Sequence, residues 1–134
     1  LASLLTDIPG LSHAFERGFV TYTDEAKCEL LGVPQDVLAS AGAVSEAAAR
    51  AMAEGALVRS HGHLAVSITG YTEAAEPGQE AGLVHFGLAR VDRPTQHKAA
   101  RYGDVGRAAV RLEALRTALE LMKKHLAEME AVEA

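Results

Sequence analysis

"GFVTYTDEAKCELLG", residues 18–32, changes character halfway along. A strand-like run through Phe19, Val20, Thr21 and Tyr22 gives way at Thr23 or Asp24 to a helical run, with one of those two side chains as its cap. A strand that feeds a helix is the alternation from which α/β domains are built. Lys27 falls in the first turn of that helix, where the peptide dipoles present positive charge and a cation is better placed at the opposite end. The dipole and partial burial favour its neutral amine, whereas Asp24 and Glu25 favour the ammonium, so the sequence leaves the balance open. A base and a surface lysine paired with a neighbouring acid are both compatible with this spacing.

Upstream, Leu1–Asp7 reads as a helix already under way at Leu1 and stopped by Pro9-Gly10. Leu11–Ala14 reads as a short turn or helical piece, and Phe15–Tyr22 as the strand. Downstream, Gly32 ends the helix, Pro34 starts a short one through Ala39, and Gly42 closes it. Ser45 then caps a helix with a small-residue face on Ala49, Met52 and Ala56. "HLAVSITG" (63–70) alternates Leu64, Val66 and Ile68 against Ala65, Ser67 and Thr69, as a buried strand does. Leu83–Val91 and Thr95–Tyr102 form a hairpin around "DRP". Asp104 is placed to cap a long final helix, whose Ala108, Leu112, Leu115, Leu119, Met122, Leu126 and Met129 form a stripe suited to a core or an oligomer interface.

With 134 residues, the chain has room for one compact domain and too few residues for two ordinary ones. A net charge of −5 argues against a general nucleic-acid binder. No apolar run is long enough for a membrane span. One cysteine, Cys28, forbids an internal disulfide and fits a reducing cytoplasm.

In open α/β sheets, ligands gather beyond the carboxyl ends of strands, where Tyr22 and Thr69 stand, the latter followed by the permissive Gly70. Lys27 lies one turn past the first of them. Arg107, in the first turn of the last helix, makes an anion site with the free amides there, or else one rung of an exposed ladder with Arg111. His61 and His63 have no third metal ligand nearby, and His85 reads as a satisfied core histidine. Neither a Walker loop nor a dinucleotide fingerprint is present, so no cofactor is expected.

Taken together, "LLTDIPG", "AFERGFVTYTDEAKCELLGV", "GAVSEAAARAMAEGAL", "AVSITG", "GLVHFGLA" and "YGDVGRAAVR" resemble the C-terminal domain of the competence/damage-inducible CinA family, from Leu1 to about Met122. The resemblance implies a three-layer α/β/α sandwich with a mixed sheet and a homo-oligomer. It also implies a serine/lysine amidohydrolase that deamidates nicotinamide mononucleotide (NMN), a small nucleotide, with no nucleic acid or membrane partner. On that pattern Lys27 is the general base with Tyr22 beside it, and Thr69, Gly70 and Arg107 bind substrate. The arginine motif reads G-D-V-G-R here, where many members have G-D-R.

Two departures qualify the match. The family's S-C-T-G-G turn, which bears the most natural nucleophile, and the strand leading to it would fall just before Leu1. Its I-A-G-P-x-G-G loop is replaced by "YTEAAEP". Ser12 is the second choice of nucleophile, but a strand of seven residues at ~3.3 Å each would hold it roughly 20 Å from the end bearing Tyr22. The expectation is therefore one domain over residues 1–134, incomplete at its amino end relative to the family. The alternative is a catalytically inactive nucleotide-binding or interaction module.

Overall fold

Val66, Ile68, Val84 and Phe86 recur at alternate positions and point to one side of a sheet, where a helix rich in alanine covers them. In the computed structural model, which describes residues 1–7, 9 and 12–133, that sheet is the centre of the molecule. The elements run α1 (Ala2–Leu5), a 3-10 turn (Ser12–Ala14), α2 (Asp24–Leu31), α3 (Gln35–Ala41), α4 (Glu46–Val58), β1 (Leu64–Gly70), β2 (Leu83–Arg90), β3 (Arg93–Arg101) and α5 (Arg107–Glu133). None of the helices among the described residues is long and apolar enough to cross a membrane.

The sheet has the order β1-β2-β3, with antiparallel pairing throughout. Val91 and Asp92 turn the hairpin, and Asp92 takes a left-handed φ of 63°, which a short polar side chain tolerates. Pro94 lies within β3 without breaking it, because β3 is an edge strand and needs fewer amide donors.

The expected strand over Phe15–Tyr22 and the mixed sheet it would help to build require correction. Those residues carry no strand pairing, and Val20 and Tyr22 are each 91% exposed. β-Favouring side chains give a segment its preference, but a strand exists only when a neighbour accepts its amides and carbonyls. Arg17 ties the segment's start to the Arg59 carbonyl at 3.1 Å, and Glu16 accepts the His61 amide at 3.2 Å. Phe19 packs into the cluster of Leu31, Val33, Leu38, Ala48 and Met52 that α2, α3 and α4 share.

Helices cover both faces, giving three layers. On one side α4 approaches so closely that a Cβ at Gly87 would stand 2.3 Å from the Ala49 carbonyl oxygen. Ser67 Oγ donates to that carbonyl at 2.6 Å and accepts the Gly87 amide at 3.0 Å, so one hydroxyl joins α4, β1 and β2. On the other side Val110, Ala114 and Ala118 of α5 meet Val84 and Phe86.

This narrows the reading of α5 as a core or an oligomer interface. Its core line runs through Val110, Ala114, Thr117, Ala118 and His125, while Leu112 and Leu126 are 57% and 48% exposed. Small side chains let the helix lie close to the sheet, and the bulkier stripe is left half-buried at Leu115, Leu119, Met122 and Met129 and exposed at Leu112 and Leu126. His125 is buried with no hydrogen-bond partner on either ring nitrogen among the described residues. Burial first, then Arg90 and Arg93, hold it below the ordinary histidine value, with Glu128 opposing. Its contribution to stability is therefore complete above about pH 6.5 and declines as pH falls further.

The 71–82 loop closes on main-chain bonds. Tyr71 N donates to Leu83 O at 2.9 Å, Gly82 N to Tyr71 O at 2.8 Å, and Tyr102 N to Gly82 O at 2.9 Å. A Cβ on Gly82 would lie 2.2 Å from the Gly103 carbonyl oxygen, so the two backbones cross at that point.

Candidate active site

Helix α2 begins where Thr23 Oγ1 accepts the Ala26 amide at 3.0 Å, and it ends at Gly32, whose φ of 65° suits a residue without a side chain. Side chains in a helix lean toward its amino end. Lys27 therefore folds back over the first turn, and its Nζ donates to the Thr21 carbonyl at 3.0 Å. Only 6% of the residue is exposed. It belongs to none of the ion pairs among the described residues, despite Asp24 and Glu25 on the same turn. The surface-pair reading of this lysine is thus set aside: it is buried and meets a carbonyl.

Two glycines fix that position. A Cβ at Gly55 of α4 would stand 1.9 Å from the Leu31 carbonyl oxygen, and one at Gly32 would stand 2.3 Å from an Arg59 guanidinium nitrogen. The end of α2 consequently rests directly on α4.

The remaining expected residues fall in separate settings. Tyr22 projects into solvent, and it is the carbonyl of its neighbour Thr21 that meets the amine. Thr69 is buried, and its Oγ1 donates to the Ala43 carbonyl at 2.7 Å, tying the link between α3 and α4 to the end of β1. Gly70 is explained by packing, since a Cβ there would meet Val84 Cγ2 at 2.7 Å and Leu83 O at 2.8 Å. Ser12 opens the 3-10 turn and is exposed.

Arg107 is the first residue of α5, as expected, but Asp104 is no cap. Gly103 and Gly106 take left-handed φ values of 84° and 92°, and the helix starts from the Gly106 carbonyl, which accepts the Val110 amide at 3.0 Å. Arg107 pairs instead with Glu73 of the loop after Gly70, at 2.6 Å. The fold therefore brings the end of β1 and the start of α5 together, as it does Lys27 and the Thr21–Tyr22 corner. Among the described residues, no hydrogen bond joins one of these groups to the other.

A cavity of about 360 Å³ lies between β3 and α5, lined in part by Lys98 and Lys124, and one of about 600 Å³ lies along α2 and α3, lined in part by Asp24 and Cys28. Lys27, Thr69 and Arg107 line neither. Among the described residues, no group of three or more His, Cys, Asp or Glu side chains is placed to hold a metal ion.

Glu73 and a Glu46–His97–His85 cluster went unread in the sequence. The cluster's signal was present: once the hairpin turns at Val91–Asp92, His85 and His97 fall diagonally across β2 and β3 on one face.

Comparison with known proteins sets this geometry in context. The CinA C-terminal domain family model matches residues 1–126. A CinA-like protein of Syntrophus aciditrophicus is 41% identical over 126 residues, covering 92% of this chain and 30% of its own length. A CinA-like protein of Frankia casuarinae is 38% identical over 129 residues, covering 95% and 29%. The chain spans less than a third of the length of these curated relatives. Among solved structures, the competence/damage inducible protein CihA from Agrobacterium tumefaciens superposes with a TM-score of 0.87 at 42% identity, over 92% of this chain and 76% of that one. The competence damage-inducible protein A from Klebsiella pneumoniae gives 0.86 at 32% identity, over 94% and 78%. A match along nearly the whole chain, joined to the same architecture, means that this chain belongs to the CinA C-terminal domain family.

Proposed function

We propose that this domain is the amidase portion of a protein that hydrolyses the carboxamide of NMN to nicotinate mononucleotide and ammonia. The observation behind this reading is Lys27: a buried amine with no acidic partner among the described residues, at the end of the Thr21–Tyr22 segment. A serine on a glycine-rich turn ahead of Leu1, which the family pattern implies, would pass its proton to that amine and attack the carboxamide carbon. The amine would then return the proton to the departing nitrogen, and water would release the acyl group. Ammonia release from NMN by the full-length protein tests the reading, and a protein that binds NMN without turnover would support the non-catalytic alternative. That alternative has its own support: the Thr69 hydroxyl already serves Ala43, and Tyr22 points to solvent.

Arg107 has the chemistry to hold the phosphate, with Glu73 occupying it in the free domain. Arg107→Ala is expected to weaken NMN binding roughly tenfold or more, the scale of a lost charged hydrogen bond, and to leave nicotinamide riboside unaffected. Glu73→Gln should tighten NMN binding by about twofold to fivefold, because an exposed pair is easily exchanged. Equal losses for both ligands would remove Arg107 from this role.

Assembly is the companion proposal. The stripe on α5, with Leu112 and Leu126 about half exposed, is suited to burial against a second copy. Light scattering at micromolar concentration should give a dimer or larger, and a 14.1 kDa monomer would refute it.

A further inference from the structure

His85 Nδ1 and His97 Nε2 stand 2.8 Å apart, with the two rings stacked at a centroid distance of 5.1 Å. His97 turns its other nitrogen, Nδ1, to Glu46 Oε1 at 3.5 Å. Glu46, in the first turn of α4, also accepts from Arg50 Nε at 2.8 Å, and Arg50 reaches across to the Thr95 carbonyl of β3. A chain of polar groups thus runs from the surface of α4, through β3, to His85 on β2. His85 lies opposite Thr69 in the β1–β2 register, and Thr69 holds the link that leads into α4.

The contact between the rings has room for one hydrogen. With both rings neutral, one N–H donates to the other's bare nitrogen. With one added proton the same bond persists as a charge-assisted contact, and the His97 N–H facing Glu46 is matched by a carboxylate. With two added protons, each ring would present an N–H to the other. Neither then has an acceptor, two positive charges face each other, and the rings must part. Glu46 binds through the ring nitrogen remote from His85, so the three groups do not converge on a common centre. The arrangement suits a proton better than a metal ion.

We propose that Glu46, His97 and His85 form an acid-sensitive latch, which holds the first turns of α4 against β2 and β3 while the histidine pair carries at most one added proton. The charged groups around it are Glu46 and Arg50 from α4, and Arg101 with His97 from β3; β1 presents the uncharged Thr69. Burial first, then His97 and Arg101, hold His85 below the ordinary histidine value, with Glu46 opposing. A histidine held down in this way binds fewer protons folded than unfolded. Its contribution is complete above about pH 6.5 and is lost as pH falls through its folded value. The Thr69 bond to Ala43 and the Ser45 cap lie at this same end of α4. The latch is independent of which ligand the domain takes.

Imidazole nitrogen NMR, read together with amide exchange on the unliganded protein, tests the latch. From pH 7 to 5 only one ring of the pair should gain imidazolium character. Protonation of the second should coincide with a rise of about tenfold or more in exchange of the Ala48 and Ala49 amides, beyond the intrinsic pH dependence. His97→Gln keeps a hydrogen-bonding side chain and cannot take up a proton, so it should abolish the coincident step. Should that variant not fold, His85→Gln serves the same purpose. Two rings that protonate independently, with no step in α4 exchange, would overturn the proposal, as would an unchanged step in the glutamine variant. The measurement is site-resolved, so acid loss arising at His125 does not enter it.

Discussion

Lys27→Ala, in a full-length protein that carries the serine turn, is expected to reduce ammonia release from NMN by about 10³-fold or more, with NMN affinity close to unchanged. The amine lies buried against the Thr21 carbonyl, so its removal deletes a group and adds no charge. Lys27→Met keeps most of the stem's volume and should be as inactive as alanine but better folded, which separates chemistry from packing. Lys27→Arg should fail as well, because a guanidinium holds its proton at any pH the protein survives. Substantial activity in the arginine variant would reduce Lys27 to a positive charge and sink the serine/lysine mechanism. Retained folding with lost turnover is the result that supports it.

Gly55→Ala should lower stability by about 2 kcal/mol, the severe end of overpacking less the gain in helix propensity. Helix propensity alone predicts the opposite, since alanine is favoured over glycine by about 1 kcal/mol in a helix interior. The new carbon, however, would lie 1.9 Å from the Leu31 carbonyl oxygen, a backbone atom that moves only if α2 moves. Overpacking of that kind costs about 1–3 kcal/mol and sometimes more, which outweighs the propensity gain. Gly62→Ala is the control: its Cβ would meet Ser60 Oγ at an ordinary 3.5 Å, so its urea midpoint should barely shift. If the two variants unfold alike, the close approach of α2 to α4 is wrong. Because α2 bears Lys27, the Gly55 variant should also lose turnover.

Features governed by neighbours in sequence were legible before the fold was seen. Thr23 and Ser45 cap their helices through bonds to amides three residues on, and Leu64–Gly70 alternates because a strand's faces alternate. What failed depended on distant partners. Phe15–Tyr22 has the side chains of a strand but no partner strand among the described residues. The leucines of α5 formed the more obvious stripe, yet alanines face the sheet because close approach rewards small residues. Asp104 looked like a cap until the left-handed glycines on either side moved the helix start to Arg107. At the site, the position of Lys27 on its helix was readable. Its carbonyl partner was not, nor was the Glu73 carboxylate that meets Arg107 from a loop 34 residues away. The histidine pair needed the exact hairpin register, which a period-two pattern does not supply.

The crossing of Gly82 over Gly103 separates two evolutionary problems. The loop from 71 to 82 is shut at its base by main-chain bonds and by two glycine backbones in contact, none of which depends on a side chain within the loop. Its interior can change in composition or length at a closure cost that grows only slowly with added residues. This segment supplies the carboxylate beside Arg107. The loop is thus an interchangeable cassette: what lies beyond β1 can be rewritten without renegotiating the sheet beneath.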